Sequence, residues 1–217
     1  MKEPIAPYVT PWTGEVRLPV SVVITASGVA YADPAHDALA RDVDGVLWEL
    51  RSGTALTGRP DYADLHPERQ RDAMESFSCA GCNGPADRDG RGMSWLLPLL
   101  GTVTTCWEGV QTTIPPTCAG CADTSPRRCP ELREGHVRLR VREAEPIGVQ
   151  GTFYPHPGEP GAPEPDTLVL YDSPDLPFVV ARHAVRELRR TTVVAFSAAV
   201  PLPVSCRSVP ELRTVAG

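Results

Sequence analysis

Alternating apolar and polar residues predict a set of short β-strands. The clearest lies at 136–142, where three apolar residues alternate with one histidine and three arginines, as a half-buried strand requires. Val16–Thr25 is rich in valine and isoleucine and predicts another strand, which Pro19 marks as an edge or a bulge and for which Val29–Tyr31 is the expected partner after a turn. Further strands are predicted at Val46–Leu50, Met93–Leu97, Ile147–Tyr154, Leu168–Tyr171 and a buried Thr191–Ala199.

Helical periodicity is confined to a few segments. His66–Phe77 predicts a helix, because Pro67 suits the first turn and apolar residues recur at helical spacing. Phe178–Arg190 predicts a second helix, whose inward residues would be Val180, Ala184, Val185 and Leu188. Few helices and many short strands predict an α+β fold with a small mixed or antiparallel sheet, in which Ile147–Tyr154 pairs with 136–142.

Composition agrees with a folded, turn-rich chain. The 217 residues are 41% hydrophobic and include 18 glycines and 24 prolines, which indicates many turns and few long helices. This length allows one large domain or two small ones. We expect N-terminal strands and a helix in 1–77, a cysteine-rich unit in 78–135, and a region in 136–217 that packs with the N-terminal part, either as separate regions or as one domain overall.

Charge and cysteine usage narrow the class of protein further. The net charge is −6, and Lys2 is the sole lysine beside 20 arginines, so any contact with nucleic acid is expected to be local. No apolar N-terminal signal or run of about 18–20 apolar residues is visible, which predicts a cytoplasmic protein without a membrane segment. Seven cysteines without a signal favour thiols and metal ligands over disulfides.

Two copies of one tetrapeptide carry the strongest chemical signal. Cys79-Ala80-Gly81-Cys82 and Cys118-Ala119-Gly120-Cys121 are identical in sequence and 35 residues apart. Each Cys-x-x-Cys turn can present two thiolates to one ion, and two turns complete the tetrahedron that zinc prefers. Such a closed centre predicts structural Zn²⁺ bound by Cys79, Cys82, Cys118 and Cys121. Iron in a rubredoxin-like site uses the same ligands and is the alternative.

The flanking residues predict how the two cysteine pairs are presented. Asn83-Gly84-Pro85 suits a zinc knuckle, Asp89-Gly90 can close a hairpin, and Cys118 can begin a helix. This order resembles a treble-clef finger, and a simple zinc ribbon is the alternative. Pro126 is expected to interrupt the helix, with a new turn at Pro130–Gly135.

Three further cysteines lie outside the two pairs. Cys106 falls between them and could replace a ligand or serve a second site. Cys129 is about three helical turns beyond Cys118, roughly 16 Å away in a continuous helix, and is expected to be a small core residue. Cys206 is expected to have no role at the centre.

Catalytic motifs are incomplete. Treble clefs also frame HNH nucleases, but no histidine lies between Cys82 and Cys121 to act as base or ligand, so that resemblance covers the scaffold alone. His66-Pro67-Glu68 matches half of a zinc deaminase signature, yet Ser78 and Thr117 stand where proline is required before each pair. An enzyme, either a degenerate HNH-related nuclease or an accessory enzyme of specialised metabolism, is therefore the alternative hypothesis, with no catalytic residue assigned.

An arginine-rich segment follows the second pair and predicts a contact surface. Its candidate contact residues are Arg127, Arg128, Arg138, Arg140 and Arg142. Arginines beside a zinc finger suit phosphate contacts, but they could instead offset the charge of four thiolates or blunt a sheet edge. The leading hypothesis is a zinc-binding, non-catalytic adaptor that contacts a protein or nucleic acid.

The wider pattern resembles uncharacterised Cys-rich proteins of high-GC actinobacteria. The resemblance covers the first two-thirds of the chain and is carried by Asp44-Gly45-Val46-Leu47-Trp48, His66-Pro67, Arg69-Gln70-Arg71, Ala73-Met74, both cysteine pairs, Cys129-Pro130 and Leu132-Arg133. It supports a zinc site and implies no particular activity.

Overall fold

The computed structural model describes residues 6–99 and 106–198. Its helices are α1 (Pro34–Ala40), α2 (Pro67–Ser76), α3 (Ala119–Arg128) and α4 (Pro130–Glu134), with a 3₁₀ turn at Leu176–Phe178. Its strands are β1 (Val16–Arg17), β2 (Val22–Thr25), β3 (Gly28–Tyr31), β4 (Leu47–Trp48), β5 (Arg51–Ser52), β6 (Arg88–Asp89), β7 (Gly92–Pro98), β8 (Val110–Thr112), β9 (Gly135–Phe153), β10 (Glu164–Leu170) and β11 (Val179–Ala198). A sheet-dominated core with few helices confirms the predicted α+β class.

Seven strands form the main sheet. They are hydrogen-bonded in the order β4-β11-β9-β7-β6, with β10 also paired to β9 and β8 to β11. Among the pairings described in register, β4 with β11 is parallel and the others are antiparallel. The pairs β1–β5 and β2–β3 form two small antiparallel sheets.

The chain divides into two compact units. The first contains, among the described residues, 6–11, 60–99, 106–146 and 186–198, and the second contains 12–59 and 147–185. Both cysteine pairs and the arginine-rich segment therefore belong to the first unit. Within the described ranges, no helix combines the length and the apolar character that crossing a bilayer requires.

The core of the first unit lies on one face of β7 and β9. Trp95 of β7 is opposite Leu139 of β9, and both side chains are fully buried. Val137 and Val141 continue this face, which confirms the alternation predicted for 136–142. The Trp95 indole donates to the Ile114 carbonyl at 2.8 Å, so its polar atom is satisfied inside the core.

The second unit has its own core around the β2–β3 hairpin. Val29, Tyr31 and Leu47 pack together there, and the Tyr31 hydroxyl donates to the Trp48 carbonyl at 3.0 Å. Burial raises the pKa of Tyr31 to about 12. The predicted partnership of Val29–Tyr31 is confirmed, because β3 pairs antiparallel with β2 across a two-residue turn.

The prediction of a helix near the C-terminus is wrong. Phe178–Arg190 lies mostly in β11, a strand of 20 residues. Apolar residues occur on both faces of this strand, so buried positions also recur at helical spacing, and periodicity alone does not separate the two structures. His183 of this strand is buried. The end of β11, expected to be buried, carries exposed side chains such as Val193 and Phe196.

Two other predictions need correction. Ile147–Tyr154 does not pair with 136–142, because both segments belong to the single long strand β9. Pro126 does not interrupt α3 but lies inside it, and the helix ends two residues later at Arg128. The new turn expected at Pro130–Gly135 is found as the short helix α4, and the helix at His66–Phe77 is confirmed as α2.

Candidate metal centre

The structure brings the two cysteine pairs together at one point. The sulfur atoms of Cys79, Cys82, Cys118 and Cys121 all lie within 4.8 Å of one another. Cys82 Sγ and Cys118 Sγ, from different pairs, are 3.8 Å apart. A tetrahedron with metal–sulfur bonds of about 2.3 Å has edges of about 3.8 Å. The cluster therefore has the ligand type and spacing of a tetrathiolate metal centre.

A tight turn presents the first pair, and we call residues 79–84 the knuckle. The backbone amide of Cys79 donates to the Gly84 carbonyl at 2.7 Å, and that of Asn83 donates to the Cys79 carbonyl at 2.8 Å. Asn83 has a φ of 58°, a left-handed conformation that asparagine tolerates better than most residues. The Gly81 amide points at Cys79 Sγ, 3.3 Å away.

A helix N-terminus presents the second pair. Cys118 is the N-cap residue of α3, and its sulfur accepts from the Cys121 amide at 3.4 Å. Cys121 lies in the first turn, where backbone amides have no partner within the helix. The positive end of the helix dipole favours negatively charged ligands at this position.

Backbone hydrogen bonds connect the segments that carry the two cysteine pairs. The amide of Ala80, inside the knuckle, donates to the Pro116 carbonyl at 2.9 Å. The next residue, Thr117, donates to Ser94 of β7 at 2.9 Å and accepts from Asp87 at 3.0 Å. Ser94 in turn donates to the Asp87 carbonyl at 2.8 Å. These hydrogen bonds connect the knuckle, the β6–β7 hairpin and the residues that precede α3.

Burial and neighbouring groups shift the pKa values of three thiols in the cluster. Burial raises the pKa of Cys79 and of Cys121, and neighbouring sulfurs add to the effect at Cys121. Burial also acts upward on Cys118, but hydrogen bonds from the Cys121 amide and from neighbouring thiols outweigh it and lower the pKa of Cys118. Four thiolates in this space need a cation, because without one their charges repel in a partly desolvated site. All six cysteines among the described residues are free thiols.

Two of the predicted contact arginines are engaged inside the unit. The Arg140 guanidinium is buried and reaches the Asp87 carboxylate at 2.6 Å and the Asp89 carboxylate at 3.3 Å. Arg138 pairs with Asp123 of α3 at 2.9 Å. The face of β9 that was expected to point outward is therefore partly covered, and these arginines connect the strand to the hairpin and to the helix that carries Cys121.

The remaining predicted arginines are exposed. Arg127 and Arg128 lie in the last turn of α3, and Arg142 lies on β9, where it donates to the Gly90 carbonyl at 3.4 Å. Of the three other cysteines, Cys129 is the N-cap residue of α4 and Cys106 is partly buried. Neither belongs to the cluster, and Cys206 lies outside the described residues.

Sequence reasoning missed a histidine–carboxylate pair in the second unit. His156 Nε2 is 2.8 Å from Oδ1 of the buried Asp175, and the imidazole ring lies against Phe178 with centroids 3.9 Å apart. No motif links His156 to a carboxylate 19 residues away, so the sequence offered no signal for it. His66, considered above for a deaminase site, is instead the N-cap residue of α2.

Comparison with protein-family models, with curated proteins and with solved structures gives no match for this chain. The class of site is therefore defined by its geometry alone. It is a candidate metal centre with four cysteine ligands, two from a tight turn and two from a helix N-terminus.

The two motif glycines provide a test of this geometry. A Cβ atom on Gly81 would lie 2.6 Å from Cys121 Sγ, whereas a Cβ on Gly120 would meet no atom within 4 Å. We expect Gly81→Ala to displace a ligand sulfur, to weaken metal binding and to destabilise the protein by about 1–3 kcal/mol. Gly120→Ala, the matched control inside a helix, should be neutral or stabilising by up to about 1 kcal/mol. Chelator competition and chemical denaturation measure both effects, and equal behaviour of the variants would contradict the arrangement.

The two arginines of β9 provide a second matched pair. Arg140→Ala leaves the Asp87 carboxylate without its closest cation and should lower the free energy of unfolding by about 2 kcal/mol or more. Arg142→Ala removes an exposed side chain and should change it by no more than about 0.5 kcal/mol. Urea denaturation of the two variants checks the difference, and a mild effect of Arg140→Ala would show that the ion pairs do not hold the hairpin.

Proposed function

We propose that Cys79, Cys82, Cys118 and Cys121 bind one Zn²⁺ and that this ion has a structural role. The observation that carries the proposal is the convergence of four sulfurs at the spacing of a tetrahedral zinc site. The protein supplies all four ligands, so no coordination position is left for a substrate or an activated water. Zinc suits this role because it is redox-inert and binds thiolates tightly.

We further propose that residues 78–135 form a treble-clef finger. The order of elements supports this assignment: the knuckle comes first, the β6–β7 hairpin follows, and α3 supplies the second pair from its first turn. The zinc ribbon alternative places the second pair on another turn, and the helical position of Cys121 argues against it. HNH chemistry is not part of the proposal, since the required histidines are missing between the pairs.

The function that fits a closed structural centre is that of a non-catalytic binding module. Its partner would be a protein or a nucleic acid, contacted through Arg127, Arg128 and Arg142, which are exposed. Arg138 and Arg140 have carboxylate partners within the unit, so we assign them to positioning the hairpin and α3 rather than to the contact.

An enzyme that uses the metal unit as scaffold is the second candidate function. The observation that favours it is the pair of His156 with the buried Asp175, because a carboxylate that fixes one imidazole nitrogen leaves the other available for proton transfer. This pair belongs to the second unit, and its chemistry would be independent of the metal centre.

The zinc proposal predicts one Zn²⁺ per chain and loss of structure when the ion is removed. Cys82→Ser or Cys121→Ser, or a strong chelator, should unfold the first unit, because metal-binding free energy contributes directly to folding in sites of this kind. Elemental analysis and amide NMR signals from β7 and β9 are the measurements. Cys129→Ser, outside the cluster, is the control and should retain the ion. A folded double variant Cys82→Ser/Cys121→Ser, or native protein that contains iron or no metal, would overturn the proposal.

The nucleic-acid contact predicts strongly salt-dependent binding. Fluorescence anisotropy with labelled duplex DNA and single-stranded RNA should show affinity that falls as salt rises. Arg127→Gln/Arg128→Gln should reduce the slope of log affinity against log salt, by roughly 0.9 per lost phosphate contact on the duplex and roughly 0.7 on the single strand. Arg59→Gln/Arg182→Gln in the second unit removes the same charge and should leave the slope unchanged. Absence of binding at low salt would refute the nucleic-acid contact and leave a protein partner.

A further inference from the structure

The four cluster cysteines differ in their exposure to solvent. Cys79 is fully buried, Cys118 and Cys121 are partly buried, and Cys82 is exposed. The Cys82 sulfur lies 3.8 Å from the sulfur of Cys118, which belongs to the other Cys-x-x-Cys pair. A reagent that approaches from solvent therefore meets Cys82 first, with Cys118 within reach of it.

The backbone of Gly81 protects the other two sulfurs. Its amide points at Cys79 Sγ, and its Cα is so close to Cys121 that an added methyl group would lie 2.6 Å from the Cys121 sulfur. The cluster thus has a covered half, Cys79 and Cys121, and an open half, Cys82 and Cys118. Each half contains one cysteine from each Cys-x-x-Cys pair, so the division differs from the pairing in the sequence.

On the basis of the proposed zinc site, we propose that the centre is a redox switch in which a peroxide oxidises Cys82 and Cys118 to a disulfide and the ion is released. The Cys82 sulfur attacks one peroxide oxygen, the O–O bond breaks, and a sulfenic acid and water form. The Cys118 sulfur then attacks the Cys82 sulfur, the S–S bond forms as the S–O bond of the sulfenic acid breaks, and the departing hydroxide takes a proton from solvent and leaves as a second water. The two sulfurs supply the two electrons that reduce the peroxide, and zinc keeps its charge.

The geometry makes this disulfide accessible. The two sulfurs must close from 3.8 Å to about 2.05 Å, a distance that side-chain rotation can cover. The product leaves two ligands of the four, which are too few for a closed tetrahedral site. The new bond still joins the knuckle to the N-terminus of α3, so reduction can rebuild the centre.

The test treats the zinc-loaded full chain with hydrogen peroxide. Zinc release is followed with a chromophoric chelator, and disulfides are mapped by alkylation and mass spectrometry. We expect release of one ion per chain together with a Cys82–Cys118 disulfide, and rebinding after reduction. A variant without Cys106, Cys129 and Cys206 should behave in the same way, because these cysteines lie outside the proposed switch.

A second variant tests the role of exposure without removing a ligand. A Cβ atom on Gly84 would lie 3.4 Å from Cys82 Sγ and would meet no other atom within 4 Å. Gly84→Ala should therefore keep the ion, shield the open sulfur and slow zinc release severalfold, while Gly120→Ala should react at the native rate. An ion that is retained under peroxide, a different first disulfide, or equal rates in the two variants would overturn the switch alone. A native chain without metal would overturn the proposed zinc site itself.

Discussion

The structure of the first unit depends on the meeting of four sulfur atoms from segments far apart in the chain. Cys79 and Cys82 come from a tight turn, and Cys118 and Cys121 come from a helix start, with a hairpin and β8 between them. Burial and mutual repulsion disfavour four thiolates in this space. A shared metal ion would make the same arrangement favourable, and under the proposed zinc site it would fix the positions of the knuckle, the hairpin and α3 relative to one another.

A second set of contacts transmits this organisation to the sheet. Arg140 holds the two carboxylates of the hairpin, and Arg138 holds Asp123 on α3. Both arginines project from the face of β9 opposite to the buried Val137 and Leu139. One face of β9 therefore packs against the apolar core, and the arginines of its opposite face pair with carboxylates of the hairpin and of α3. Arg138 and Arg140 thus connect the elements that carry the cysteine cluster to the sheet.

The parts of the structure that follow local rules could be predicted from the sequence. Repeated Cys-x-x-Cys units, the alternation at 136–142, and Pro67 and Pro130 at helix starts each reflect chemistry within a few residues. The strand structure of Phe178–Arg190 could not be predicted in this way, because a central strand that is buried on both faces lacks the alternation of apolar and polar residues that identifies a strand. The partners of Arg138 and Arg140, and the pairing of His156 with Asp175, depend on tertiary contacts that leave no mark in the spacing of residues.

The position of Trp95 gives the first unit an internal optical reporter. Its ring packs edge-on against Phe77 with centroids 6.4 Å apart, and its neighbour Ser94 is bonded to Thr117, the residue before Cys118. The chain from Cys118 to Thr117, the hydrogen bond from Thr117 to Ser94, and the chain from Ser94 to Trp95 thus connect the cluster to a buried indole. The indole of Trp95 is consequently placed to respond to the state of the cluster without any change to a sulfur atom.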